Sequence, residues 1–142
     1  MSKSNALETA LLGLLFNATP IANIADNAGS GPLTNLYVSL HTSDPGEAGN
    51  QQSNEASYTS YARVAVSRDS GGWTVSGNSV VPAAEISFPA CTGSTNTITH
   101  MGIGTASSGA GVLLYSGAVS PNIAVSTGVT PILTVATAIT ED

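Results

Sequence analysis

His41 stands three residues before Asp44 and six before Glu47 in LYVSLHTSDPGEAGNQQ, residues 36–52. An imidazole with carboxylates at this spacing is raw material for a metal site, or simply the end of a strand and its turn. Zinc requires three or four converging ligands. The chain offers only His41, His100, Cys91 and scattered carboxylates, with no CxxC and no HExxH. Calcium requires several hard oxygens; Asp44, Glu47 and Glu55 share one acidic loop, but without the EF-hand spacing. Nucleophilic hydrolysis on a strand-to-helix elbow needs GxSxG, and a phosphate loop needs a glycine-rich turn ending in Lys-Ser or Lys-Thr; neither occurs. GIGTASSGAG, Gly102 to Gly111, lacks the third glycine and the following helix of a dinucleotide cradle, and reads as a strand end and a hairpin. A Ser-His-Asp triad is defined by geometry and stays open at this level. Glu85, the acid expected within a strand, reads as solvated, and Cys91, with no base nearby in sequence, reads as a small buried hydrophobe. The residues therefore predict no metal, no cofactor and no enzymatic activity.

Composition bounds the partners. Charged residues make up 8% of the chain, so the surface must be neutral and rich in hydroxyl groups. Lys3, Arg63 and Arg68 face nine acids, and a net charge of −6 leaves no basic face to neutralise a phosphate backbone. Nucleic acid is not an expected partner. No apolar run reaches the roughly 20 residues of a membrane helix, so no membrane is expected either. Lys3 followed by ALLGLLF mimics a signal peptide, but the apolar run is short and Glu8 precedes it closely, which argues against cleavage. One cysteine excludes an internal disulfide framework.

The elements follow from periodicity. Asn5 to Phe16 reads as a helix: Ser4 or Asn5 can cap it, Glu8 stands where a capping box wants it, and Leu7, Leu11, Leu14 and Leu15 share one face. Leu12 and Phe16 widen the apolar stripe beyond what a small sheet needs, which makes Leu7, Leu11, Leu12, Leu15 and Phe16 candidates for contact with another chain. NATPIANIADNAGSGPLTN, with Pro20, Gly29, Gly31 and Pro32, reads as a linker.

From Leu36 the period becomes two. Leu36, Val38 and Leu40 alternate with Tyr37, Ser39 and His41; Ala62, Val64 and Val66 alternate with Tyr61, Arg63 and Ala65. Further strands are expected at 73–75, 80–81, 85–88, 97–103, 112–119, 123–125 and 132–139, separated by SGN, CTGSTN, SSGAG and STG turns. The expected fold is mainly β: a single β-sandwich, with a jelly roll as the candidate topology, over residues 35–142, preceded by a helix and linker arm over 1–34. On this reading His41 ends a strand on its polar face, and Asp44-Pro45-Gly46 supplies a turn of type II.

LYVSLHTSDPGEAG, YTSYARVAV, GGWTVSGN, ISFPA, THMGIGTASSGAGVLLYSG and GVTPIL together resemble a family of small tailed-bacteriophage structural proteins described as virion or tail-fibre-like. The matching positions are His41 to Gly46, Tyr61 to Arg63, Trp73, Phe88 to Pro89, Ser107 to Gly111 and Gly128 to Pro131. The resemblance implies a particle component and supplies no catalytic residue.

Size and acidity favour a capsid decoration or cement protein on the outer shell, made in the host cytoplasm. Its partners would be the major capsid protein and further copies of itself. His41, Asp44 and Pro45 join the helix residues as its candidate interface. The alternative is a tail or tail-fibre component that binds tail proteins or a host glycan, with Tyr37, Tyr58, Tyr61 and Trp73 as an aromatic sugar platform.

Overall fold

A computed structural model describes residues 4–21 and 32–141. The expected linker falls largely on residues 22–31, and Lys3 before the helix, so both lie outside the described residues. The described chain is mainly β with one short N-terminal helix, as the periodicity predicts. Helix α1 spans Asn5–Asn17, and nine strands follow: β1 Asn35–His41, β2 Val64–Ser67, β3 Trp73–Ser76, β4 Ser79–Pro82, β5 Ile86–Ser87, β6 Asn96–Gly104, β7 Leu113–Val125, β8 Ile132–Leu133 and β9 Ile139–Thr140.

The chain sorts into two compact units. The first comprises residues 1–35, 67–86 and 133–142 and holds α1 and the sheet β3-β4-β9. Ser4 caps the helix, its hydroxyl accepting from Leu7 N at 3.4 Å, and Ala18 closes it in the left-handed region at φ 51°. The buried face of α1 is Glu8, Leu12 and Phe16, not the Leu7–Leu11–Leu14–Leu15 stripe. Phe16 meets Trp73 edge-on at 4.7 Å; the i, i+4 step from Leu12 to Phe16 carries the inward face with it. Between β3 and β4, Gly77 sits at φ +60° in a two-residue turn, a place at which glycine avoids the strain of a side chain.

No basic residue lies in the last turn of α1. Arg68 serves that end from outside: its Nε donates to Leu15 O at 2.5 Å, its Nη2 donates to Leu14 O, and its Nη1 donates to Leu33 O at 3.2 Å. A cation on the orphan carbonyls offsets the negative pole of the helix.

The second unit comprises residues 36–66 and 87–132. It is built on the sheet ordered β2-β1-β6-β7. β1 runs antiparallel to β6, with Tyr37 opposite Gly104 and His41 opposite His100. β6 and β7 form a hairpin whose ladder shifts register between Ile98 and His100 and between Ile103 and Gly104. The core gathers Leu36, Val38, Leu40, Tyr58, Phe88, Cys91, Ile98 and Ile103. The expected polar face of β1 is absent: Val38 to His41 are all buried. β1 lies between two other strands and is covered on both faces, so strict alternation gives way to continuous burial.

Candidate functional site

The polar groups of greatest interest lie inside the second unit. His41 and Ser39 are both fully buried, with Ser39 Oγ and His41 Nε2 2.9 Å apart. His41 Nδ1 lies 2.8 Å from Ser53 O. A carbonyl can only accept, so Nδ1 carries the proton and Nε2 accepts from the Ser39 hydroxyl. Burial lowers the imidazole pKa below its ordinary value, against the opposing pull of the Ser53 carbonyl and Glu55. This is the serine–histidine contact of a nucleophilic dyad, yet a backbone carbonyl stands where a triad has its carboxylate. A Cβ built on Gly102 would lie 2.7 Å from His41 Nε2 and 2.8 Å from Ser39 Oγ. Position 102 therefore has to be glycine for the pair to sit against β6.

Beside it runs an ionic network. Arg63 is 9% exposed, in a strand register that sequence alternation assigned to solvent. Its Nε and Nη2 donate to Glu55 Oε1 and Oε2 at 2.6 and 2.8 Å, a bidentate geometry that only a guanidinium supplies. This pairing raises the Arg63 pKa further. The remaining donors reach the β6–β7 loop, Nη1 to Ala106 O at 2.9 Å and Nη2 to Gly109 O at 2.6 Å. Tyr61 donates its hydroxyl proton to Glu55 Oε1 at 2.9 Å and accepts from Leu40 N at 3.0 Å. Burial lifts the Tyr61 phenol far above its usual range.

Gln51, also fully buried, ties the 42–57 loop to the same hairpin. Its amide donates to Tyr37 O at 3.0 Å and accepts from Ala106 N at 2.9 Å, and its own N–H donates to Gly111 O at 3.0 Å. Glycine is required beneath it: a Cβ on Gly104 would fall 2.2 Å from Gln51 Cδ, and one on Gly111 2.3 Å from Gln51 Oε1. Arg63 and Gln51 thus hold the hairpin loop from below, while Ser107, Ser108, Gly109 and Ala110 stay exposed and Val112 is 62% exposed.

The expected site residues distribute differently from their sequence reading. Leu12 and Phe16 are core, so neither is available on the surface of the described chain; Leu11 and Leu15 are half-buried and Leu7 is exposed. His41 and Pro45 are buried, and Asp44 is exposed, where its carboxylate accepts from Gly46 N at 2.8 Å. That bond makes an Asx turn, with Gly46 at φ +74°.

The four aromatics form no exposed platform. Trp73 is 1% exposed and packs on Phe16; Tyr58 is 2% exposed and donates to Pro89 O at 3.0 Å. Tyr58 and Tyr61 meet edge-on at 5.3 Å, Tyr61 stacks on Phe88 at 6.4 Å, and Tyr37 is half-buried. Burial pushes the Tyr58 phenol up to about 12. Glu55, expected in the acidic loop, is engaged by Arg63, and among the described residues no group of three His, Cys, Asp or Glu could hold a metal ion. Cys91 is buried, its thiol donating to Gly93 O at 3.1 Å.

A family profile described as Podophage GP4 fiber I protein gp80 matches residues 2–140. The chain belongs to this family. No curated protein matches it. Membership makes the chain a structural component of a phage particle and agrees with the tail-fibre-like half of the sequence resemblance. The decoration role and the outer-capsid placement gain no support from a family described as a fibre protein; the fibre alternative fits it better. Sequence reasoning singled out Arg63 and Glu55 in other roles and missed that they, with Gln51, hold the exposed loop of this chain. The available signal was the scarcity of cations: an arginine in an expected strand of so uncharged a chain calls for an acid to pair with.

Proposed function

We propose that this protein is a non-enzymatic building block of the tail fibre apparatus of a podophage, presenting its β6–β7 loop to neighbouring tail proteins or to the host surface. The observation that carries the reading is the family match across residues 2–140. The interior chemistry supports a structural role. The ion pair, the Ser39–His41 contact and Gln51 are all engaged in internal hydrogen bonds that fix loops, and loops fixed on a rigid sheet are the usual place for recognition.

The test is placement in the particle. A C-terminal affinity tag labelled with gold and imaged on intact virions should mark the tail. Label spread evenly over the head would overturn the fibre reading and restore the decoration role.

A further inference from the structure

Residues 51–55 turn inward at alternate positions: Gln51 is buried, Ser53 and Glu55 are half-buried, and Gln52 and Asn54 are exposed. Each inward residue holds something different. Gln51 holds the β6–β7 loop through Gly111 O and Ala106 N. Glu55 holds it through Arg63, whose other donors reach Ala106 O and Gly109 O. Between these two clamps Ser53 O accepts from His41 Nδ1. The backbone bonds from Thr42 N to Asn54 O at 2.9 Å and from Ala56 N to Leu40 O at 2.8 Å flank that contact. The two clamps therefore share one seam with β1, and His41 sits at its centre.

That imidazole is neutral in the folded chain, donating from Nδ1 and accepting at Nε2 from the Ser39 hydroxyl. A second proton, on Nε2, turns the acceptor into a donor. The buried Ser39 hydroxyl then loses the one acceptor it has among the described residues, and a cation stands inside the unit. Arg63, from the segment before β2, and His100, opposite on β6, both oppose that cation. β7 brings no charge to offset it. Glu55 favours it, but both carboxylate oxygens are already taken by Arg63, and Tyr61 donates to one of them. Asp44 and Glu47, on the same loop, are exposed to water. A buried cation without a free counter-charge is relieved by admitting water, and the seam beside His41 is the nearest place to open.

We propose that residues 51–55 form an acid-operated latch: protonation of His41 parts them from β1 and frees the β6–β7 loop while the β1–β6 ladder stays closed. Burial sets the operating range on the acid side of a free imidazole's titration. The latch acts on the loop that the fibre reading presents to a partner, but it is read on the isolated chain, so its failure and the failure of that placement are separate results.

Hydrogen exchange of the full chain at pH 7 and pH 5, corrected for the intrinsic effect of pH on amide exchange, tests it. The amides of Thr42, Gln51 and Ala106, bonded to Asn54 O, Gly111 O and Gln51 Oε1, report the latch. Their protection should fall by on the order of tenfold from pH 7 to pH 5, because opening takes up one proton. At pH 5 they should exchange ahead of the β1–β6 ladder. His41→Gln keeps a neutral donor and acceptor and should abolish the fall, whereas His100→Gln should leave it in place. Ser39→Ala removes the hydroxyl that favours the neutral ring and should shrink the fall, which keeps the test open if His41→Gln does not fold. Latch amides that exchange together with the ladder at both pH values would overturn the proposal. So would a fall that survives His41→Gln or Ser39→Ala, or one that His100→Gln removes.

Discussion

Arg63 and Glu55, eight residues apart in the chain, meet through two charge-assisted hydrogen bonds at 2.6 and 2.8 Å, while the arginine side chain is only 1% exposed. The same guanidinium carries two carbonyls of the β6–β7 loop, so one side chain connects the segment leading into β2, the 42–57 loop and the hairpin tip.

Removing that arginine alone should therefore be severe. Arg63→Met strands the Glu55 carboxylate and two carbonyls, and we expect a loss of about 3 kcal/mol. Arg63→Met with Glu55→Gln should lose less than Arg63→Met alone, because the uncompensated charge is gone. Urea unfolding of the three proteins checks the order; equal losses for the single and double variants would refute it.

Arg68 offers a parallel case in the first unit. Arg68→Ala removes the donors to Leu14, Leu15 and Leu33 and should cost about 1–3 kcal/mol. The loss should appear in far-ultraviolet helical signal during thermal unfolding, with Arg68→Lys intermediate.

Acid should weaken the fold through His41. Its folded pKa lies below 6.5 because burial disfavours the imidazolium, so between the two values the unfolded chain binds more protons. The stabilisation is complete above the unfolded pKa of about 6.5 and is lost as pH falls from there to the folded pKa. The urea midpoint should fall between pH 7 and pH 5, and His41→Gln should flatten that slope while lowering stability at pH 7. A slope unchanged by the substitution would assign it to other groups.

Two glycines in the hairpin should respond oppositely to the same change. Gly104→Ala drives a Cβ to within 2.3 Å of Val112 O, a backbone atom that cannot swing aside, and should cost about 3 kcal/mol. Gly117→Ala enters open space and should be neutral or slightly stabilising. Thermal midpoints of the two variants decide the matter.

Strand positions were legible wherever apolar residues alternate or turns carry glycine: β1, β3, β4 and β6 fall within a residue or two of their expected bounds. The expected strands 112–119 and 123–125 emerged as one, because β7 continues through its bulge, and 132–139 split into β8 and β9. Face assignments failed at His41, which the 42–57 loop covers through Ser53 O on its Nδ1, and at Arg63, where the exposed residue is Ala62. A two-residue period reports one covered face; it holds no information on a second layer or on an acid eight residues away. The Leu-rich stripe of α1 misled for a related reason, since the ring of Trp73 selects Leu12 and Phe16 as the inward residues.

The engagement of both described arginines in internal hydrogen bonds has a consequence for proteolysis. Trypsin cuts only after lysine and arginine, and this chain offers it Lys3, Arg63 and Arg68 alone. The last two have their side chains bound to internal carbonyls or to Glu55. Digestion at these positions must wait for the surrounding structure to open, so cleavage there measures opening rather than surface access. Residues 69–142 hold no lysine or arginine, so trypsin finds no site among them, and their four charges, Asp69, Glu85, Glu141 and Asp142, are all negative.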